Sequence, residues 1–481
     1  MEEKLELLFC PSPGIGHLIS TVELAKKLVN SHGRHFHATI LNIQYHIPAW
    51  SNATTAYINS VVASGVNIQF EDLPQVEPPY KENMKGETFI CLFIEAHKAG
   101  IRDAVSCHLA TGTVAALILD MLCVSMLDVA KELDVPGYIY IPSNASFLGL
   151  MLYLPTLHVK VASEIEDVSD VVDIPVLRSA PPSSMPVFMM DKKDEAYTIF
   201  LNYGHSLREA RGFIVNTFME VDMKPLKALE AGQCLPDHPT PDVFPVGPLL
   251  APEKESPEKH ECIKWLDKQP AKSVVVLCFG SMGCFSEELV KEMAVGLERS
   301  GERFLWALRT PSKENVVVPS DAELEEVMPE GFLERTRGRG LVWPSWIPQL
   351  EVLAHAAVGG FVTHCGWNSA LESLWHGVPM LAWPLYAEQH MNAVEMVREM
   401  GVALELKVDR KNGGFVSSSE LESGVRRLMD GGDQGRKVRQ RAEEMKVAGR
   451  RAVEEGGSSY ASLDLLVHQI IKETSKRVIG N

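Results

Sequence analysis

Short apolar runs rich in Val, Ile and Leu alternate along the chain with stretches whose apolar positions recur every three or four residues. Both halves show this alternation, which is the habit of parallel α/β folds with central strands covered by helices. In the first half, residues 5–10 read as a buried strand. A turn rich in Pro and Gly follows from Pro11 to Gly16, then an amphipathic helix over about 18–29. Further strands are expected at 36–43, 115–119, 137–141 and 212–216. The second half restarts with a β-branched strand at 273–279, the turn Gly280-Ser281-Met282-Gly283 and a helix near 286–299. More strands are expected at 303–308, 358–363, 379–383 and 402–406. Residues 244–258, dense in Pro and charge, read as a linker, and 310–325 as a surface loop. The last stretch, about 433–476, reads as helical and highly charged.

Composition narrows the class without touching the chemistry. At 481 residues the chain has room for two to four domains, and 46% apolar with 23% charged residues excludes extended disorder. A formal charge of −17 argues against nucleic acid or an anionic membrane as the main partner. The opening Met-Glu-Glu-Lys-Leu does not read as a signal peptide, and no apolar run reaches the roughly 18 residues of a membrane span. Nine cysteines stand singly, without zinc or disulfide spacing, so reduced thiols and a cytoplasmic location are expected. The sequons at Asn52 and Asn144 then read as chance matches. His32, His35 and His37 lie close together near a strand, and a metal role is not expected of them.

Two doubly wound halves imply a ligand cleft, with the chemistry just beyond the carboxyl ends of strands. After the first strand come Gly14-Ile15-Gly16-His17; Ile19 stands where a dinucleotide fingerprint needs its third glycine. His17 then opens a helix and, beyond a capping or packing role, can serve as a general base. Asp120 ends an apolar run and would project at the same edge, where a carboxylate can fix the tautomer of such a base.

The densest region runs from Trp346 to Gln389. Strand 358–363 feeds into His364-Cys365-Gly366 and a helix stopped at Gly377, a junction suited to phosphate. His364 can donate to a phosphate oxygen, and Asn368 and Ser369 can cap the helix or reach an anion. Glu372 can accept from both hydroxyls of a ribose, Trp346 offers a flat face to a base, and Gln349 an amide to its edge. Glu388 and Gln389 stand well placed for sugar hydroxyls.

The string WIPQ–x14–HCGWNS–x2–E–x15–EQ closely resembles the signature box of the plant secondary-product UDP-glycosyltransferases. Pro-Ser-Pro-Gly-Ile-Gly-His17, Ile-Leu-Asp120, Val-Asn-Thr-Phe218, Pro-Val-Gly-Pro248 and Phe-Gly-Ser-Met-Gly283 resemble family landmarks in order, so the resemblance spans the chain. It implies a GT-B fold: two Rossmann-like α/β domains facing across a cleft, an acceptor domain over 1–248 and a UDP-sugar domain over 249–460. Residues 461–481 would be a helix crossing back to the first domain. By the same resemblance His17 is the base and Asp120 its partner. Trp346 stacks on uracil, the Ile347 backbone and Gln349 pair its edge, and Glu372 holds the ribose. Ser281, His364, Gly366, Asn368 and Ser369 hold the phosphates, while Trp367, Glu388 and Gln389 contact the sugar. Gln at the last box position accompanies glucose transfer in this family. Two departures stand out: Ser20 where a proline is frequent, and Ile347 where the box usually has Ala.

The expected reaction is inverting transfer of glucose from UDP-glucose to a hydroxyl of a small apolar or phenolic acceptor, without metal or cofactor. The alternatives are another UDP-sugar on the same fold, a nicotinamide-dependent oxidoreductase, for which the fingerprint is missing, or a UDP-sugar sensor. The expected partners are the UDP-sugar and the acceptor, with the chain a monomer. Segments 77–93 and 143–194, rich in Met, Phe and Pro, are expected to line the acceptor pocket, with Ile15, Met121, Ser143 and Ala387 as contacts.

Overall fold

The computed structural model describes residues 4–31, 36–44, 48–80, 84–251, 258–311 and 319–480. Their contacts divide the chain into two compact units. The first comprises the described residues of 1–182, 188–251 and 451–481, the second those of 183–187 and 252–450.

The first unit is built on seven parallel strands: β1 (Leu5–Cys10), β2 (Phe36–Asn42), β3 (Ile68–Asp72), β4 (Val114–Asp120), β5 (Gly137–Ile141), β6 (Gly212–Val215) and β7 (Asp242–Pro245). Their spatial order is β3-β2-β1-β4-β5-β6-β7, so the order reverses between β1 and β4. Both strands at that switch are buried along nearly their whole length, as strands covered on both faces must be. The principal helices here are α1 (Ile15–Ser31) and α2 (Ala145–Lys160).

The second unit repeats the plan with six parallel strands: β8 (Val274–Cys278), β9 (Arg303–Ala307), β10 (Gly340–Trp343), β11 (Val358–Thr363), β12 (Met380–Ala382) and β13 (Ala403–Glu405). The order β10-β9-β8-β11-β12-β13 reverses between β8 and β11. Its helices include α3 (Glu287–Ser300), α4 (Trp367–His376), α5 (Gln389–Val394) and α6 (Ser418–Met429). Local chemistry sets their ends. Ser286 Oγ accepts from the Leu289 N–H to start α3, and Gly301 at φ 78° stops it in the left-handed conformation that glycine adopts without penalty.

Among the described residues, three strands of the two parallel sheets have no counterpart in the sequence expectation: β3, β7 and β10. All are sheet edges, where pairing on one side alone permits shorter and less apolar segments, and proline in the case of β7. Phe244 and Pro245, expected in the linker, are thus the buried end of an edge strand, and Leu249 lies in the first unit's core. Residues 252–257 of that linker lie outside the described residues. The expected loop 310–325 contains a small antiparallel pair, Arg309–Pro311 with Pro319–Asp321, and runs into a short helix at Leu324–Val327; its residues 312–318 lie outside the described residues. Residues 183–187 group with the second unit because the Arg410 guanidinium donates to the Ser183 and Met185 carbonyls. The Val187 N–H also donates to the Ala387 carbonyl at 3.0 Å.

The expected terminal helix is two helices, α7 (Asp433–Val453) and α8 (Ser458–Gly480). Gly456 at φ 81° breaks the path. Leu463, Leu466, Val467 and Ile470 of α8 enter the first unit's core beside Leu7, Phe9 and Tyr138. Burial of each such side chain contributes about 1.5–3 kcal/mol. Among the described residues no helix is long and apolar enough to cross a membrane.

Candidate functional site

In the first unit the site forms where the strand order reverses. Cys10 at the end of β1 is in register with Leu119, so Asp120 ends β4 one residue beyond it, at the carboxyl edge. The turn after β1 passes through Gly14 at φ 137°, and α1 begins at once, placing His17 in its first turn. His17 Nδ1 lies 2.8 Å from Asp120 Oδ2. The Asp120 side chain is fully buried, and its other oxygen accepts the Leu122 N–H at 3.0 Å. An ionised carboxylate only accepts, so Nδ1 carries the proton and Nε2 keeps a basic lone pair. The imidazole side chain remains 30% exposed. Ser20, where the resemblance expects proline, donates its hydroxyl to the His17 carbonyl at 3.1 Å. A small cavity lined by 11–14, Leu18, 42–44, Ser51, Thr54 and Thr55 adjoins this turn.

Of the acceptor candidates, Ile15 and Met121 are half-buried next to the dyad in sequence. Ser143 is fully buried where the chain turns from β5 into α2. Asn144 caps that helix by accepting the Phe147 N–H, and Asp222 accepts the Ala145 N–H at 2.8 Å. The same cap buries the Asn144 sequon. Ala387 belongs to the second unit and holds a left-handed φ of 51°.

In the second unit, the carboxyl ends of the neighbouring strands β8, β11 and β12 carry the predicted residues. Cys278 pairs with Thr363, and Thr363 with Ala382. The turn holding half-buried Ser281, the His364-Cys365-Gly366 junction and the loop to Glu388 and Gln389 therefore leave the sheet side by side. Gly366 is the N-cap of α4, so the positive end of the helix dipole faces this edge. His364 is buried, and burial pushes its imidazole down to about 4, so it is neutral near pH 7. Its Nδ1 has no hydrogen-bond partner among the described residues. A phosphate oxygen would satisfy a buried polar atom of this kind.

Gln349 Nε2 donates to Glu372 Oε2 at 2.6 Å and to Ser369 Oγ at 2.9 Å. Burial pushes the Glu372 carboxyl up to about 7, against the opposing pull of Gln349. Trp346 stands 53% exposed, whereas Ile347 and Trp367 are buried and Asn368 half-buried. Gln389 is buried, its Oε1 accepting the N–H groups of Leu385 and Tyr386 at 3.1 and 3.0 Å. Asn392 Nδ2 lies 3.5 Å from Glu388 Oε1.

Sequence reasoning placed Gly366 among the phosphate-holding residues but missed its steric role, and it missed other supporting residues altogether. A Cβ built on Gly280 would lie 2.6 Å from His364 Nε2, and one on Gly366 2.4 Å from the same atom. Only glycine at both positions leaves the ring its place. Cys365 holds a left-handed φ of 65°; the Asn392 side chain donates to its carbonyl at 3.0 Å. Tyr386, with its ring centroid 6.2 Å from that of His364, carried no sequence signal.

His32 and His35 lie outside the described residues. His37 Nε2 is 3.4 Å from Glu6 Oε1, and His108 bridges Glu6 and Glu71 at 3.0 and 2.7 Å. Among the described residues no group of three or more His, Cys, Asp or Glu is arranged to hold a metal. All nine cysteines are free thiols.

Residues 216–436 match the family model described as UDP-glucoronosyl and UDP-glucosyl transferase. The chain is 44% identical to malvidin galactosylase of rice (Oryza sativa subsp. indica), covering 99% of each protein. It is 43% identical to anthocyanidin 5,3-O-glucosyltransferase of a Rosa hybrid cultivar, over 95% of this chain and 97% of that one. The structure of Medicago truncatula UGT71G1 complexed with UDP-glucose superimposes with a TM-score of 0.84 at 40% identity, over 97% of this chain and 98% of that one.

Proposed function

Because the chain belongs to the UDP-glycosyltransferase family, and is a hexosyltransferase of GT-B fold, we propose that it transfers glucose from UDP-glucose to a hydroxyl of a phenolic acceptor with inversion. The observation that carries this reading is the Asp120–His17 contact, which leaves one basic ring nitrogen at a strand edge. His17 Nε2 takes the proton of the acceptor hydroxyl as its oxygen bonds to the anomeric carbon. The bond from that carbon to the β-phosphate oxygen breaks on the opposite face, and UDP leaves with the electron pair. Asp120 stabilises the imidazolium that forms.

The second unit supplies groups suited to the departing anion. The start of α4 places a positive dipole end beside His364, whose unpartnered Nδ1 can donate to a phosphate oxygen. Ser281, Gly366, Asn368 and Ser369 complete this cradle. Exposed Trp346 suits a stacked uracil, Gln349 and the Ile347 backbone its edge, and Glu372 the ribose hydroxyls. Neutral and backbone donors fit a diphosphate to a chain of charge −17. No cofactor enters this chemistry, and no metal is required.

A phenolic acceptor is supported by the anthocyanidin glucosyltransferase relative. The donor sugar is the finer question, since another relative is named a galactosylase. Glucose is supported by Gln389, through the association of that residue type with glucose transfer. The test is UDP release from UDP-glucose and UDP-galactose over a panel of phenolic and terpenoid alcohols. Acceptor-dependent release preferring UDP-glucose is expected. A preference for UDP-galactose would refute the Gln389 assignment, and release with terpenoids alone the phenolic one. Unchanged rates after chelation of divalent metals are also expected.

A further inference from the structure

The loop that carries Glu388 and Gln389 is held from within and from outside. From within, Gln389 Oε1 accepts the N–H groups of Leu385 and Tyr386 at 3.1 and 3.0 Å. Outside, a closed circuit of hydrogen bonds surrounds the loop. Trp383, fully buried just beyond β12, donates its indole N–H to the Gly414 carbonyl at 3.0 Å. Gly414 lies in the turn 409–415, which the Asp409 N–H closes by donating to the Phe415 carbonyl at 2.8 Å. From that turn Arg410 Nη1 donates to the carbonyls of Ser183 at 2.5 Å and Met185 at 2.9 Å. Two residues further on, the Val187 N–H donates to the Ala387 carbonyl at 3.0 Å. The circuit thus returns to the loop one residue before Glu388.

Ala387 holds a left-handed φ of 51°, a conformation that a residue with a Cβ keeps only where its surroundings fix it. The strap 183–187 is the outside restraint at that point, and Ser184 and Met185 are buried within it. We propose that Arg410 is a positioning residue for the donor sugar: by holding the strap against the Ala387 carbonyl it fixes the backbone from which Glu388 and Gln389 meet the sugar hydroxyls. Arg410 acts through that backbone and need not touch the sugar. A guanidinium suits the task, because it stays charged and its hydrogen bonds to carbonyls are charge-assisted. This role rests on the donor-site reading above and deepens it, making sugar discrimination depend on residues remote in sequence from the signature box.

The experiment compares wild type with Arg410→Ala, Arg410→Lys, Val187→Pro and the double variant Arg410→Ala/Val187→Pro. Val187 opens a short 3₁₀ turn, where proline removes the N–H and fits the backbone. The readouts are kcat/KM for UDP-glucose and UDP-galactose with one phenolic acceptor, UDP affinity by calorimetry, and hydrogen exchange over residues 384–389. In Arg410→Ala and in Val187→Pro the ratio between the two sugars is expected to fall about 5-fold, with UDP affinity nearly unchanged and exchange over 384–389 faster. Arg410→Lys, which keeps a charged donor, should recover part of the ratio, and the double variant should be no worse than either single one. An unchanged ratio or unchanged exchange in either single variant overturns the proposal. So does an equal loss of UDP affinity, which marks collapse of the whole edge, or additive losses in the double variant. Wild-type protein that turns over neither sugar would instead overturn the donor-site reading.

Discussion

Glu372 Oε2 receives the Gln349 amide across 2.6 Å while burial holds its carboxyl up to about 7. Ribose hydroxyls donating to this group would favour its ionised form, so donor binding should release a proton. UDP affinity is then expected to rise with pH through about 7 and to level off above it. Glu372→Gln should flatten that dependence, as titration calorimetry between acid and alkaline buffers would show. Stability runs the other way. Between 4.5 and about 7 the folded state keeps a proton that the unfolded chain has lost, so this group's contribution falls as pH rises. His364, lowered from 6.5 to about 4, gives the opposite slope between those values.

The dyad predicts a separation of chemistry from binding. His17→Ala should lower kcat by about 10²–10⁴ while leaving UDP affinity unchanged. Asp120→Asn cannot satisfy both the Leu122 N–H and His17 Nδ1–H with one carbonyl oxygen, so it should be nearly as slow. The double variant should be little slower than either alone. Near-normal turnover in His17→Ala would remove the base assignment.

Gly366 has an ordinary φ of −62°, so alanine there adds no backbone strain. It does place a methyl 2.4 Å from His364 Nε2. Displacing the imidazole should weaken UDP binding about 10-fold, with a stability cost of about 1–3 kcal/mol from overpacking. In a His364→Ala background the same substitution should cost almost no further UDP affinity. Additive losses would show that the glycine serves some other purpose.

Ile470 of α8 is fully buried in the first unit's core. Ile470→Ala should destabilise that unit by about 2–5 kcal/mol through lost burial and a cavity. Thermal or urea unfolding would measure it. A loss below 1 kcal/mol in that variant, on the scale of an exposed site, would contradict the docking of α8.

Legibility in the sequence followed burial. Strands 5–10, 137–141 and 358–363 agree with β1, β5 and β11 end to end, since strands covered on both faces are predominantly apolar. The edge strands β3, β7 and β10 carried no such demand and escaped notice. Glycines at turns were legible as stops, as Gly377 at φ 72° confirms. Gly280 and Gly366 as walls of the His364 pocket were not, because the atom they must clear lies in another segment or depends on the fold of their own.

The formal charge of −17 and the spacing of Trp346, His364, Glu372 and Gln389 were properties of the sequence alone, and with them the chain's family. Residue type and spacing along a strand or helix are local, and local order determines which side chains reach a strand's carboxyl end. The tertiary structure decided what each of them is chemically. The 2.8 Å between His17 and Asp120, the neutral imidazole of His364 and the raised carboxyl of Glu372 arise from groups far apart in the chain. Desolvation and partner geometry act through space, and only the folded chain supplies them.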